Sequence, residues 1–396
     1  MLRAKLSSPR PVPALQTGGL PRLPLMDAIR ALAALSIVVY HGASGVGRRP
    51  DGLLGQLTGS LHVGVIVFFV ISGTLLYRPF VARRLAGRPA PALCPYLTSR
   101  FLRIVPGYWV ALLIAVPVLG LTDVLTPSGL VKYFGFLQIY DPGGSQGLSQ
   151  AWSLCVELSF YLTLPALALA IAGTLRGQLA ALGVIALAGL AWPVLAVRGF
   201  AGDGLTTALF SLPNFLDEFA FGMALATVSA GLAAGGHPPR WVGWVERHAG
   251  ACWALAGLCY VGIILISGPR GAALGVELRL VAGNLLPDIM ATLIILPAVF
   301  GAPGHGRVRR LLAAPALVRL GVISYGLYLY HPIAYRTFVE QSTGRYVLFS
   351  VPLTIVLATA SWWLVERPAL RLKLRFASGP VAAEPPPPVL SASRLT

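Results

Sequence analysis

Charge is what this chain has little of. Asp, Glu, Lys and Arg make up 11% of its 396 residues, where soluble domains carry about 25%. With 56% of residues hydrophobic, that shortage excludes a soluble globular domain and leaves an integral membrane protein. Acids are scarcer still, 14 against 31 Lys and Arg. In a soluble protein the resulting +17 would raise nucleic acid as a partner. Here no basic stretch is interleaved with stacking aromatics, so no nucleic acid is expected, and the excess reads as the loop bias that orients membrane helices. Cysteine is also rare: Cys94, Cys155, Cys252 and Cys259 form no C-x-x-C pair and no metal set with histidines, so no metal is expected and they read as small apolar side chains. Residues 1–22, basic and proline-containing, do not have the form of a cleaved signal.

What is present is a succession of apolar runs of about 20 residues, the length that crosses a bilayer as helix. The expectation is an all-α polytopic membrane bundle of about ten transmembrane helices, near 25–43, 60–77, 104–122, 152–172, 178–197, 205–230, 249–267, 280–300, 320–340 and 346–366. Residues 1–22 would be a flexible cytoplasmic leader, 23–376 the membrane domain and 377–396 a disordered proline-rich tail. The leader, even-numbered loops and tail hold 22 Lys and Arg, the odd-numbered loops 8. Both termini are therefore expected in the cytoplasm, with the chain in the cell membrane. The second loop, holding Arg78, Arg83, Arg84, Arg88, Arg100 and Arg103, is the most basic. Pro117, Pro165, Pro193, Pro213 and Pro297 interrupt helices, either as ordinary kinks or where broken backbone lines a cavity.

Ionisable groups inside such spans are costly and mark function by default. The first span carries Arg30 and His41, eleven residues apart, which on a helix puts both on one face but ~16 Å apart along the axis. Ala34 and Ile37 lie between them on that stripe. Asp27, three residues before Arg30, suits pairing with it or favouring the helix N-terminus. His331 stands in Tyr-Gly-Leu-Tyr-Leu-Tyr-His-Pro with Tyr328 on its face, whereas His62, His237, His248 and His305 lie in loops or at span edges. Ser153, Glu157 and Tyr161 recur at spacing four, a polar stripe suited to a structural network, to orienting His41 or to holding a substrate hydroxyl. Asp217, Glu218 and Asp288 are further buried-acid candidates, and Glu366 with Arg367 reads as an interfacial ion pair. Arg100 and Arg103, three apart, suit phosphates through bidentate guanidinium donors. Gly143-Gly-Ser-Gln-Gly147 matches G-x-S-x-G, but that pattern needs a strand-to-helix turn, and here it falls in a glycine-rich loop.

Taken in order, these landmarks resemble the acyltransferase 3 family of bacterial membrane O-acyltransferases, which includes antigen and polysaccharide O-acetylases and macrolide acyltransferases. They are Asp27 with Arg30-x10-His41, Phe68-Phe-Val-Ile-Ser-Gly73, Arg100-x-x-Arg103, Trp152-Ser-Leu-x-Val-Glu157 with Phe160-Tyr161, Ile323-Ser-Tyr-Gly-Leu-Tyr-Leu-Tyr-His331-Pro and Glu366-Arg-Pro368. The resemblance implies ten membrane helices, acyl-CoA (acetyl-CoA) as donor and a hydroxyl acceptor such as a sugar, lipid-linked glycan or macrolide. It carries His41 and Arg30 over as the active pair and Arg100 with Arg103 as donor-binding residues. The chain departs from the family at Leu158, where a second acid is frequent, and at Ser159, where a glutamine is. Some members append a hydrolase-like domain outside the cell; without one, transfer would finish in the membrane domain or pass to a partner. In the expected mechanism His41 takes the hydroxyl proton, or is itself acylated as a relay, with Glu157 orienting it and Arg30 or the pair Arg100 and Arg103 meeting negative charge. The competing class is a transporter or lipid-handling protein, for which buried charges and broken helices are equally natural.

Overall fold

Nine helices among the described residues are long and apolar enough to cross a membrane. The computed structural model describes residues 23–44, 52–141, 147–268, 271–301, 305–337 and 343–377. The expected leader, nearly all of the expected tail, and Ser145 of the G-x-S-x-G match lie outside them. The bundle consists of α1 (Met26–Ser44), α2 (Gly64–Leu85), α3 (Leu93–Leu119), α4 (Trp152–Ala170), α5 (Leu175–Gly199), α6 (Leu216–Ala233), α7 (Ala249–Ser267), α8 (Val276–Val299), α9 (Ser324–Thr337) and α10 (Thr343–Ser361). All ten expected helices are thus represented, but α9, at 14 residues, is too short to count among the nine.

The departures from the expected bounds have local causes. The ninth span breaks at Ile323 into a short helix, Pro315–Val322, and α9. The sixth breaks where Ser211 turns extended ahead of Pro213, so Asp217 and Glu218 fall in the first turn of α6, where the helix dipole favours acids. In the third, helix begins eleven residues earlier than 104, at Leu93, so Arg100 and Arg103 ride on the helix itself. At the end of α10 a π-helical turn, Trp362–Glu366, leads into Arg367–Ala377. That extra residue per turn rotates Glu366 inward, to 2% exposure, while Arg367 lies over the Trp363 ring at 4.1 Å. Glu366 and Arg367 therefore do not pair with each other.

Packing is closest where side chains are smallest. A Cβ on Gly73 of α2 would meet the Phe219 carbonyl of α6, and one on Gly222 would meet the Val70 carbonyl; the two helices cross backbone to backbone there. α1 runs through the middle, touching α2, α8, α9 and α10, with Ala28, Ile29, Ala31, Ala34, Ile37 and Val38 buried. Its first turn is seated by Gly321, whose bare Cα faces the Asp27 carbonyl. Not every arginine is a topology signal. Arg309, 1% exposed, donates to the carbonyls of Val245, Glu246, Pro297, Phe300 and His305 and clasps the end of α8 to the helix Arg240–Arg247.

Candidate active site

Arg30 and His41 of α1 open into two different cavities. Arg30 lines one of about 120 Å³ with Ser72, Arg100, Arg103, Ser153, Glu157, Tyr161, Tyr325 and Tyr328. His41 lines another of about 400 Å³ with Tyr40, His62, Gln150, Trp152, Glu218, Asn284 and Tyr328. Helix periodicity foresaw this separation, since the shared face of α1 passes from one cavity to the other over ~16 Å.

In the first cavity, three guanidinium groups face a single carboxylate. Glu157 Oε1 accepts from Ser72 at 2.6 Å and from Tyr161 at 2.6 Å, so two hydroxyls occupy it. Arg100 donates to Ser99 Oγ at 3.1 Å and lies 6.0 Å from the Tyr161 ring. Arg30 and Arg103 both lie within electrostatic reach of Glu366, whose Oε1 accepts from Ser361 at 3.2 Å and whose Oε2 has no partner. Tyr325, donating to the Ile104 carbonyl at 2.6 Å, ties α9 to α3 beside this group. The ion pairs among the described residues, Lys132 with Asp141 and Arg198 with Glu277, lie elsewhere. Asp27, in the first turn of α1, is not among them. A pocket holding three arginines against one hydroxyl-bound carboxylate is built for an anion.

His41, in the wall of the second cavity, pairs with the buried His331 behind it. His331 Nδ1 lies 3.2 Å from the Leu327 carbonyl and His41 Nδ1 3.1 Å from the Ile37 carbonyl. A carbonyl only accepts, so both Nδ1 atoms carry hydrogen. His331 Nε2 is then a lone pair, and it lies 3.2 Å from His41 Nδ1, the donor it needs. With these tautomers the single Nδ1 hydrogen of His41 is shared, as a three-centre bond, between the Ile37 carbonyl and His331 Nε2, and His41 Nε2 is left unprotonated, the form a general base requires. His331 is fully buried and packs edge-on against Tyr335 at 5.8 Å; Tyr335 in turn donates to the Val38 carbonyl of α1. Across helices the hydrogen-bond partner of His41 is His331, while Glu157 is bound by Ser72 and Tyr161 in the arginine cavity.

Ser153 and Tyr328 join the two regions. Their hydroxyls are 2.6 Å apart, and Tyr328 also donates to the Gln150 carbonyl. The second cavity also gathers residues that sequence spacing did not assign to the His41 site. His62, which spacing placed in a loop, stands 5.5 Å from the Tyr40 ring, and Glu218, Asn284 and Gln150 come from segments far apart in the chain. Behind Glu218, carboxylate oxygens of Asp217, Glu218 and Asp288 lie within 4.8 Å of one another, all buried, close enough to hold a small cation. Only contact across α6 and α8 reveals that set; 70 residues of chain separate its members.

The multi-pass helical bundle thus carries an arginine-lined cavity beside a histidine-lined one, with Val65 and Tyr328 lining both. The acyltransferase 3 family model, an acyltransferase domain, matches residues 24–366. The chain belongs to this family, and is a multi-pass membrane O-acyltransferase using an acyl donor and a hydroxyl acceptor; the transporter reading is set aside. It is 26% identical over 376 residues to "Nodulation protein 10" of Rhizobium leguminosarum bv. viciae, covering 88% of this chain and 93% of that protein. It is 23% identical over 374 residues to a protein of Staphylococcus aureus (strain COL) named "Putative O-acetyltransferase", covering 87% of this chain and 57% of that one. No solved structure matches the chain.

Proposed function

We infer that the protein transfers a short acyl group from acyl-CoA, acetyl-CoA first among them, to a hydroxyl of a glycan, lipid-linked glycan or macrolide-type acceptor. The observation that carries this reading is the His41–His331 pair, whose hydrogen bonds leave His41 Nε2 free to accept a proton. In the step, the acceptor oxygen forms a bond to the thioester carbonyl carbon while His41 Nε2 takes the hydroxyl proton. The C–S bond then breaks, and the proton passes on to the departing thiolate, so nothing else is consumed. Arg30, Arg100 and Arg103 hold the coenzyme phosphates, and Glu157, kept in place by Ser72 and Tyr161, fixes the spacing of the arginines around it. The Asn284 amide, whose Nδ2 has no partner, offers a donor to the developing oxyanion in the His41 cavity.

The lysine and arginine distribution supports a cytoplasmic mouth for the arginine cavity and an inner-membrane location, with His41 toward the far side. An aromatic and polar lining that includes Trp152, Tyr40, Gln150 and Asn284 supports a hydroxyl-rich acceptor. The test is His41→Ala in membranes supplied with labelled acetyl-CoA: label transfer to the envelope fraction should fall to background, and unchanged transfer sinks the assignment. Omitting the acceptor separates direct attack from a relay, since only a relay accumulates acylated His41.

A further inference from the structure

The two cavities abut at two side chains. Val65 of α2 and Tyr328 of α9 each line both of them. Both are nearly buried, at 8% and 5% exposure. If the coenzyme phosphates sit among the arginines and the base is His41, the acyl group has to pass between these residues to meet the acceptor.

The two are not equally free to move. Tyr328 is bound through its hydroxyl to Ser153 and to the Gln150 carbonyl, and its ring stands against Phe68 at 6.3 Å and His331 at 6.0 Å. Swinging it aside would break both hydrogen bonds. Val65 has no polar anchor, but its backbone is pinned by its neighbour: a Cβ on Gly64 would meet the Ala33 carbonyl and Ser36 Oγ of α1, so α2 already touches α1 and cannot retreat further. A β-branched side chain on a helix is also restricted to essentially one χ1 rotamer. Of the two shared side chains, Val65 is therefore the one whose bulk a substitution changes without breaking a hydrogen bond.

We propose that Val65, which shares the boundary of the two cavities with the hydrogen-bonded Tyr328, is the residue that determines which acyl chain length passes from the arginine cavity to His41, admitting acetyl and excluding longer chains. This rests on the acyl-CoA reading above. A methylene more or less in a tight apolar slot is worth ~10-fold or more in discrimination, so one residue at this point suffices to set specificity.

The test needs no acceptor. Full-length protein in nanodiscs is treated with bromoacetyl-CoA or 2-bromohexanoyl-CoA, and alkylation of His41 is followed by mass spectrometry. The His41 Nε2 lone pair attacks the carbon bearing bromine, a C–N bond forms, and bromide leaves. Intrinsic differences between the reagents cancel when the ratio of their rates is compared across variants. Val65→Ala should raise the hexanoyl-to-acetyl ratio by ~10-fold, Val65→Leu should lower it, and the isosteric Val65→Thr should keep it near wild type. If all four proteins label at His41 with one common ratio, the inference fails while the donor reading stands. If His41 of the folded wild type is alkylated by neither reagent, the donor reading itself fails, and the inference with it.

Discussion

Replacing His331 separates orienting the base from being the base. In His331→Leu the bulk remains but the lone pair at 3.2 Å from His41 Nδ1 is gone. His41 keeps its Ile37 carbonyl at 3.1 Å, so its tautomer survives and only its ring orientation loosens. Because the donor keeps one acceptor, the loss is that of one neutral hydrogen bond, ~0.5–1.5 kcal/mol or ~2- to 10-fold in kcat. Removal of the base itself, in His41→Ala, costs ~100- to 10,000-fold. His331→Gln restores an acceptor oxygen and should recover most of the loss. The assay is acetyl transfer from labelled acetyl-CoA in membranes, with kcat and the KM for acetyl-CoA measured separately. The fall should lie in kcat, because the arginines that hold the donor stand at the other end of α1. Two results refute the reasoning: His331→Leu as inactive as His41→Ala, which would make His331 a reacting group, or His331→Leu indistinguishable from wild type.

Arg103→Met or Arg30→Met should raise the KM for acetyl-CoA ~10- to 100-fold with a smaller change in kcat, since each removes charge-assisted bonds worth ~1.5–3 kcal/mol; dephospho-CoA competition measured across the variants would locate the phosphate contact. Ser72→Ala removes one of the two hydroxyls on Glu157 and should lower thermal stability by ~1–3 kcal/mol, an effect absent in a Glu157→Leu background, which has no acceptor, if the contact is the cause. Gly222→Ala pushes a methyl toward the Val70 carbonyl and should destabilise the α2–α6 crossing by ~1–3 kcal/mol, read as a lower unfolding temperature in detergent. Arg309→Lys keeps the charge but at most three of the five carbonyl contacts, and two lost bonds of ~1.5 kcal/mol each predict ~3 kcal/mol of lost stability.

Periodicity along single helices carried much of the site. Arg30 and His41 could be placed on one face at a known separation because helix geometry is local, and Arg100 with Arg103 because they are three residues apart. Partnerships across helices were illegible for the same reason. Ser72 meets Glu157 across a sequence separation of 85, and His331 meets His41 across one of 290; nothing in either segment encodes which helix will stand opposite. For Glu157, spacing left a structural network, orientation of His41 and a substrate hydroxyl open, and only the packing of α2 against α4 puts the Ser72 and Tyr161 hydroxyls on it in the arginine cavity.

Apolar runs, the dearth of charge and the lysine and arginine distribution by themselves determined a helical membrane bundle, because the bilayer demands lengths and compositions that can be counted. Ordered motifs determined its chemistry in outline. Tertiary structure alone decided which imidazole orients which, that the sixth span opens with two acids beside Asp288, and that a valine and a tyrosine stand where the two cavities meet. Those facts depend on helix rotation and crossing, which are set by small contacts such as Gly73 on Gly222 and Gly321 on Asp27, and a one-dimensional pattern does not record them.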